Sequence, residues 1–283
     1  SRNNLFKRFF TLVRETKPEF FLAENVPGIM NDDFKDLRDD AMDGLSDYVV
    51  LKPFFVTASD YGAATIRKRV LFFGYRSKNF SPITADDFAP DRTAAKITVE
   101  TALTGLPVVV NPEWTTDDSG WRKVRRDITG PFGVSCHASI PKGVGHNESV
   151  RKWQEERKTS GCIATIHEQK TIRRFAALES GESDSVSRGV RLNPKGFCPT
   201  LRAGTGNDRG SYQAVRPIHP TEPRVITPRE AARLQGFPDW FRFDPTKWHS
   251  FRQIGNSVSP ILAEEILARI RNKLRAHSRS KDA

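Results

Sequence analysis

Two small clusters in the chain carry residue types suited to chemistry. Glu24 and Asn25 stand side by side after the apolar run Phe20–Ala23, and Val26, Pro27 and Gly28 follow at once. Arg67 and Arg69 flank Lys68 at the mouth of a second apolar run that begins at Val70. A carboxyl group among apolar neighbours is well sited for a raised pKa and for a hydrogen bond to a polar ligand edge. Arginines two apart on an extended chain point the same way, and paired guanidiniums suit an anionic or carbonyl-bearing ligand. On these residues alone, Glu24-Asn25 serves equally well as turn punctuation, and Arg-x-Arg as a pair of solvated edge arginines.

The elements around them follow from pattern. Residues Arg2 to Thr16 read as a helix, with Leu5, Phe6, Phe9, Phe10, Leu12 and Val13 on one face, ended by Pro18. Phe20–Ala23 is too short for a helix and reads as a buried, parallel-type strand. In open α/β sheets ligands bind past the carboxyl ends of such strands, which is where Glu24 stands. An amphipathic helix feeding a core strand so early suggests a chain cut upstream. Ile29 to Leu45 reads as an acidic helix, Tyr48–Val50 and Phe54–Val56 as β structure around Pro53, and residues 70–76 as a strand. Thr227–Pro238 spells one helix in full: Thr227 at the N-cap, Pro228 at N1, Glu230 closing a capping box, and Gly236 and Pro238 ending it. Gly255–Val258 reads as a tight loop, Pro260 to about Leu274 as a last helix, and 276–283 as a disordered basic tail.

Composition narrows the class. The 283 residues hold 45 Lys and Arg against 34 Asp and Glu, a net charge of +11. That excess favours a polyanionic partner, nucleic acid first. No apolar run approaches a membrane span, and Cys136, Cys162 and Cys198 lack any CxxC spacing, so neither a metal site nor a disulfide framework is expected. Residues 77–199 resist reading. Arg122, Lys123, Arg125 and Arg126 cluster near Trp121, and Lys152, Arg157, Lys158, Lys170, Arg173 and Arg174 form a second series; both suit a nucleic-acid face or a solvated surface. Glu179–Ser187 reads as a flexible loop. Cys198–Gly204 reads as a short strand entering a turn rich in glycine (Gly204, Gly206, Gly210).

Taken in order, these pieces resemble the later part of a DNA (cytosine-5)-methyltransferase. Arg2-Asn3-Asn4-Leu5-Phe6 resembles that family's fifth motif, Glu24-Asn25-Val26 its sixth, Asp60-Tyr61-Gly62 its seventh and Arg67-x-Arg69 its eighth. Thr227–Pro238 is similar to the ninth and Gly255–Val258 to the tenth. The likeness covers about residues 1–76 and 190–272, with the variable target-recognition region between. It implies an α/β fold: an incomplete S-adenosylmethionine-methyltransferase (Rossmann-like) sheet plus a smaller, mostly β or irregular target-recognition domain. The expected limits are 1–85 for a partial catalytic domain, 86–252 for recognition, 253–275 for the last loop and helix, and 276–283 for the tail.

The resemblance further implies methyl transfer from S-adenosylmethionine to C5 of a cytosine flipped out of double-stranded DNA. Glu24 would bind the N3/N4 edge of the base, Asn25 would hold the loop, and Arg69 would bind O2 with support from Arg67. Leu5 would pack on the cofactor adenine, with Asn256, Ser257 and Val258 lining the cofactor site. Thr200, Leu201, Arg202 and Arg229 would lie against DNA. Three departures stand out. No cysteine follows a proline as the family's nucleophile does, the Gly-rich first motif is missing, and Thr65 replaces a glutamine ahead of the arginines. They lead to the expectation of a C-terminal portion, inactive alone, working with a complementary N-terminal subunit or fragment in a prokaryotic or phage-bearing cytoplasm. The alternative is a DNA-binding or regulatory relative without chemistry.

Overall fold

The structure is a computed structural model that describes residues 2–125, 127–137, 140–203 and 215–281. The chain forms two units. One holds residues 1–57, 68–92 and 263–283, the other residues 58–67 and 93–262.

In the first unit, α1 (Arg2–Thr16) leads into β1 (Phe20–Asn25), and two 3-10 turns precede a short α2 (Lys35–Met42). The acidic stretch is therefore helical only over its second half. Then come β2 (Val49–Val50), β3 (Phe54–Thr57) and β4 (Lys68–Tyr75). β4 is the spine of the sheet: β1 lies along one side of it, β2 and β3 along the other, all antiparallel. This corrects the expectation of a buried, parallel-type β1. An unbroken apolar run reports burial on two faces, not strand direction. In β1 only Phe21 is fully buried; the eight-residue run of β4 is buried from Arg69 to Tyr75.

Side-chain alternation sorts that sheet into two faces. Val70 and Phe72, with Phe21 from β1, pack under Phe6, Phe10 and Val13 of α1. The rings meet edge to face, Phe6 and Phe72 at 5.1 Å and Phe10 and Phe21 at 5.5 Å. Gly74 makes room for the Phe21 ring, since a Cβ there would lie 2.4 Å from it. Truncating Phe10 to Ala would cost about 3–5 kcal/mol. Arg14 of α1 donates to the carbonyls of Ala41 and Asp43, satisfying the C-terminal end of α2. The other face carries Phe73, which meets Phe88 at 5.1 Å; at its Glu24 end stand Glu24 and Arg69.

The second unit is helical and irregular rather than mostly β, a second correction. Its elements are α3 (Val99–Leu103), β5 (Arg122–Lys123), α4 (Gly130–His137), α5 (Asn147–Glu156), β6 (Lys158–Thr159), α6 (Gln169–Ala176), α7 (Pro228–Leu234) and α8 (Lys247–Asn256). β5 and β6 form its one two-stranded ribbon among the described residues. α9 runs Pro260–Lys281, so helix continues through most of the stretch expected to be a disordered tail. α7 sits at the centre of the core, buried from Pro228 to Leu234. Its N-terminus carries the expected capping box between Thr227 and Glu230, and Gly236 takes φ 83°. Glu179–Ser187 is a held loop, not a loose one: Asp184 is fully buried, paired with Arg174, and accepts the Ser187 N–H. Cys198 makes an isolated bridge to Thr65 rather than a strand, and Gly204, Gly206 and Gly210 lie outside the described residues.

Candidate active site

Glu24 and Arg69 meet because of register. Glu24 lies opposite Leu71, so the residue diagonal to it on the same face of β4 is Arg69. The Glu24 carboxylate pairs with Arg69 Nε; the side chains are 25% and 8% exposed. Arg69 Nη1 also donates to the Lys68 carbonyl at 2.8 Å. Burial lowers the Arg69 pKa, and Glu24 opposes that shift. Asn25 turns back on its own backbone: its Oδ1 accepts the Val26 N–H at 2.8 Å, fixing the chain where it leaves β1 for the turn Pro27–Met30. A half-open carboxylate beside a guanidinium can present both a hydrogen-bond acceptor and a fixed positive charge to one small polar ring.

A pair of this kind also occurs in plain structural networks. The family model for the C-5 cytosine-specific DNA methylases matches residues 1–272. The chain belongs to that family. Its relatives include the type II methyltransferase M.XorII of Xanthomonas oryzae pv. oryzae, 37% identical over 97% of this chain and 63% of that protein. Another is M.DdeI of Desulfomicrobium norvegicum, 29% identical over 95% of this chain and 66% of that one. Among solved structures, an E. coli prophage protein described as a DNA modification methyltransferase is 48% identical, with a TM-score of 0.86 over 97% of this chain and 75% of its own. The chain thus spans somewhat under two thirds of the length of these two curated relatives.

These matches correct the extent of the resemblance, which was expected over about residues 1–76 and 190–272. The family model runs from residue 1 through the unreadable middle, and both curated relatives align over at least 95% of the chain. The middle resisted reading because its motifs are few. C-5 cytosine methylases use S-adenosylmethionine as methyl donor. Among the described residues no helix is long and apolar enough to cross a membrane, and no cluster of His, Cys, Asp and Glu could hold a metal.

The remaining expected site residues fall into three groups. Leu5 stands at 74% exposure, Asn256 is exposed at the end of α8, and Ser257 and Val258 are half-buried. Gly255-Asn256 closes a helix that the sequence did not announce, rather than forming a free loop. Arg67 is buried; it donates to Leu201 O at 3.1 Å and Gly255 O at 2.7 Å. There Gly255 comes so close to the Arg202-Ala203 backbone that a Cβ would lie 2.4 Å from Ala203 N. Thr200 is exposed with its hydroxyl on Ile66 O, Arg202 is exposed, and Leu201 is in the core. Arg229 corrects a DNA-binding expectation: it is 1% exposed and spends its donors on the carbonyls of Ser160, Pro238 and Phe241. A helix that packs on all sides buries its arginines with its alanines.

The sequence did not single out Gln235, whose amide donates to Ile254 O and to Ser257 Oγ and so fixes the 254–257 turn from α7. Its only signal is its place beside Gly236 at a helix end. The basic clusters are partly spent within the fold. Arg122 lies 3.4 Å over the Trp114 ring and Lys152 4.2 Å over Trp121, while Arg157 covers Trp153 and pairs with Asp127. Arg126 lies outside the described residues. All three cysteines are buried. Burial pushes the thiols of Cys136 and Cys162 up to about 12 and that of Cys198 higher still.

Proposed function

We propose that this chain acts in the methylation of C5 of cytosine in DNA, and that Glu24 and Arg69 hold the extruded base. The observation that carries the reading is the Glu24–Arg69 pair, a carboxyl group and a guanidinium brought together at partial exposure. Arg69 suits the cytosine O2 and Glu24 the N3/N4 edge. As a nucleophile adds at C6, negative charge grows toward N3 and O2; Arg69 donates to O2, and Glu24 in its protonated form donates to N3. Asn25, through Val26, keeps the turn that aims Glu24. Arg67 is a supporting residue, fastening the carbonyls of Leu201 and Gly255.

S-adenosylmethionine supplies an electrophilic methyl group when bound. Leu5, an uncovered apolar side chain, and the Asn256–Val258 turn are residues of the right types to hold it. We read residues 1–85 as catalytic, within a methyltransferase sheet, 86–252 as the recognition region, and 253–275 as the last loop and helix. Thr200 and Arg202 are then the exposed residues nearest the recognised DNA, in a prokaryotic cytoplasm.

A second reading, DNA binding without chemistry, is favoured by one observation: none of the three thiols is placed to become a thiolate. One experiment tests both. A duplex carrying a fluorescent cytosine analogue reports extrusion, and labelled S-adenosylmethionine reports transfer. Extrusion that Glu24→Gln and Arg69→Met abolish, with transfer, supports the first reading. Extrusion without transfer selects the second. Extrusion that both variants leave intact sinks the assignment of the pair.

A further inference from the structure

The second unit holds a cleft of about 490 Å³ whose walls include Thr165, Ser187, Arg216, Lys247, Trp248 and Phe251. Its charge is one-sided, because no carboxylate lines it among the described residues. Arg216 lies 4.2 Å over the Phe251 ring and donates from Nη1 to Arg202 O at 3.1 Å, so its guanidinium is held in one orientation. Lys247, in the first turn of α8, donates to Ala164 O at 2.6 Å. A third cation, Arg252, stacks 5.2 Å from Trp248 on the same helix. The nearby acid Asp184 is already consumed by Arg174 and Ser187.

Neither Arg216 nor Lys247 has a carboxylate in its ion pairs among the described residues. Burial depresses both, Arg216 to about 10, with no acid opposing it. Half-buried cations without a counter-charge carry an uncompensated desolvation cost. An incoming anion would supply the missing charge. The hydroxyls of Thr165 and Ser187 add neutral donors of the kind that contact phosphate oxygens.

We propose that this cleft binds a phosphate group of the DNA backbone, with Arg216 and Lys247 as its two charged contacts. The proposal rests on the reading of this chain as a DNA methylase. It adds a contact that positions the duplex without reading its sequence. A free phosphate would satisfy the same chemistry, so the test must separate the two.

The test measures affinity of the full chain for a labelled duplex by anisotropy across a salt titration. Lys247→Met and Arg216→Met should each weaken binding about 3- to 10-fold near ~0.1 M salt and flatten the salt dependence by about one ion. Lys247→Arg should keep the slope, and Lys35→Met, at an exposed surface pair, should match the parent. Arg216→Met also frees Arg202 O, so weaker binding at an unchanged slope would assign Arg216 a structural role and remove it from the cleft. Unchanged slopes in both Met variants overturn the proposal. Stabilisation by inorganic phosphate that Lys247→Met abolishes, with DNA slopes unchanged, makes this a free-anion site and overturns it too. A parent chain that binds no duplex but extrudes nothing either would sink the DNA reading itself. Normal extrusion with unchanged slopes sinks only the cleft.

Discussion

Two arginine–carboxylate pairs show how surroundings separate a scaffold from a site. Arg233 and Asp239 are both completely buried, joined by two hydrogen bonds of 2.6 Å. Arg233 also donates to Ala102 O and Thr104 O at 2.9 Å, and His137 approaches the carboxylate at 3.3 Å. The network closes on itself and has no room for a ligand. Glu24 and Arg69 make the same ion pair with fewer partners, and a quarter of the carboxylate side chain is open. Saturation fixes the first pair; spare capacity at a fixed place is what a binding group needs. The chemical identity of the residues is the same in both, so only the neighbours tell them apart.

The contrast is broken most directly at Asp239. Replacing it with Asn should cost about 3–5 kcal/mol in urea unfolding, because Arg233 would stay buried without its counter-charge. Burial alone would raise the Asp239 pKa, but Arg233 outweighs it and holds the carboxyl far below its usual value. Its contribution is therefore complete above the unfolded value of about 3.9 and is lost as pH falls below that. A smaller effect is expected at Asp184, whose carboxyl Arg174 and Ser187 pull down to about 2 against the cost of burial. Asp184→Asn should cost about 1–3 kcal/mol and speed amide exchange at Gly181 and Arg191, which close the loop. Acid should loosen the same amides as pH falls from about 3.8 toward about 2. Protection that ignores both changes would return this loop to the flexible class its composition suggests.

How much of this was legible beforehand depends on whether the signal was local. The helix at Thr227–Pro238 could be read residue by residue, since caps and stops are local chemistry, and α1 announced its buried face by spacing. Strand direction could not be read: Phe20–Ala23 looks the same whether its neighbour runs parallel or antiparallel. Glu24 and Arg69 were each identifiable as candidates, yet their meeting depends on a register set by the whole length of β4. Arg229 misled for a related reason. In sequence an arginine on a capped helix looks exposed, and only three distant carbonyls make its burial tolerable. α8 was missed because Lys247–Asn256 mixes Trp, His, Ser and Gly without a clean apolar stripe. The 77–199 region stayed opaque because its helices are short and its cations meet tryptophans at no single spacing, Arg157 on Trp153, Arg122 on Trp114 and Lys152 on Trp121.

Glu24→Gln sharpens the comparison from the other side. Gln keeps an oxygen for Arg69 Nε but leaves a guanidinium only 8% exposed without its counter-charge, so the change should cost about 1–2 kcal/mol, less than at Asp239. The same substitution should cost methyl transfer on the order of 10²–10⁴-fold wherever transfer is measured, because an amide cannot protonate N3. A large stability loss at Glu24 would place it with Asp239 as scaffold.

The smallest effect belongs to Lys35 and Asp39, an i, i+4 pair on α2 at 2.8 Å with both side chains more than 60% exposed. The geometry is good, and each partner shifts the other's titration in the expected direction, Lys35 up and Asp39 down. Yet the order is the weaker one, a base ahead of its acid, with the acid at the negative end of the helix. Water screens the pair, and holding two long side chains together costs entropy that the attraction barely offsets. Lys35→Ala should leave the unfolding midpoint unchanged within error at any salt concentration. A measurable, salt-sensitive drop would mean that contact distance, not burial and saturation, ranks these pairs, and the distinction drawn between Asp239 and Glu24 would lose its physical basis.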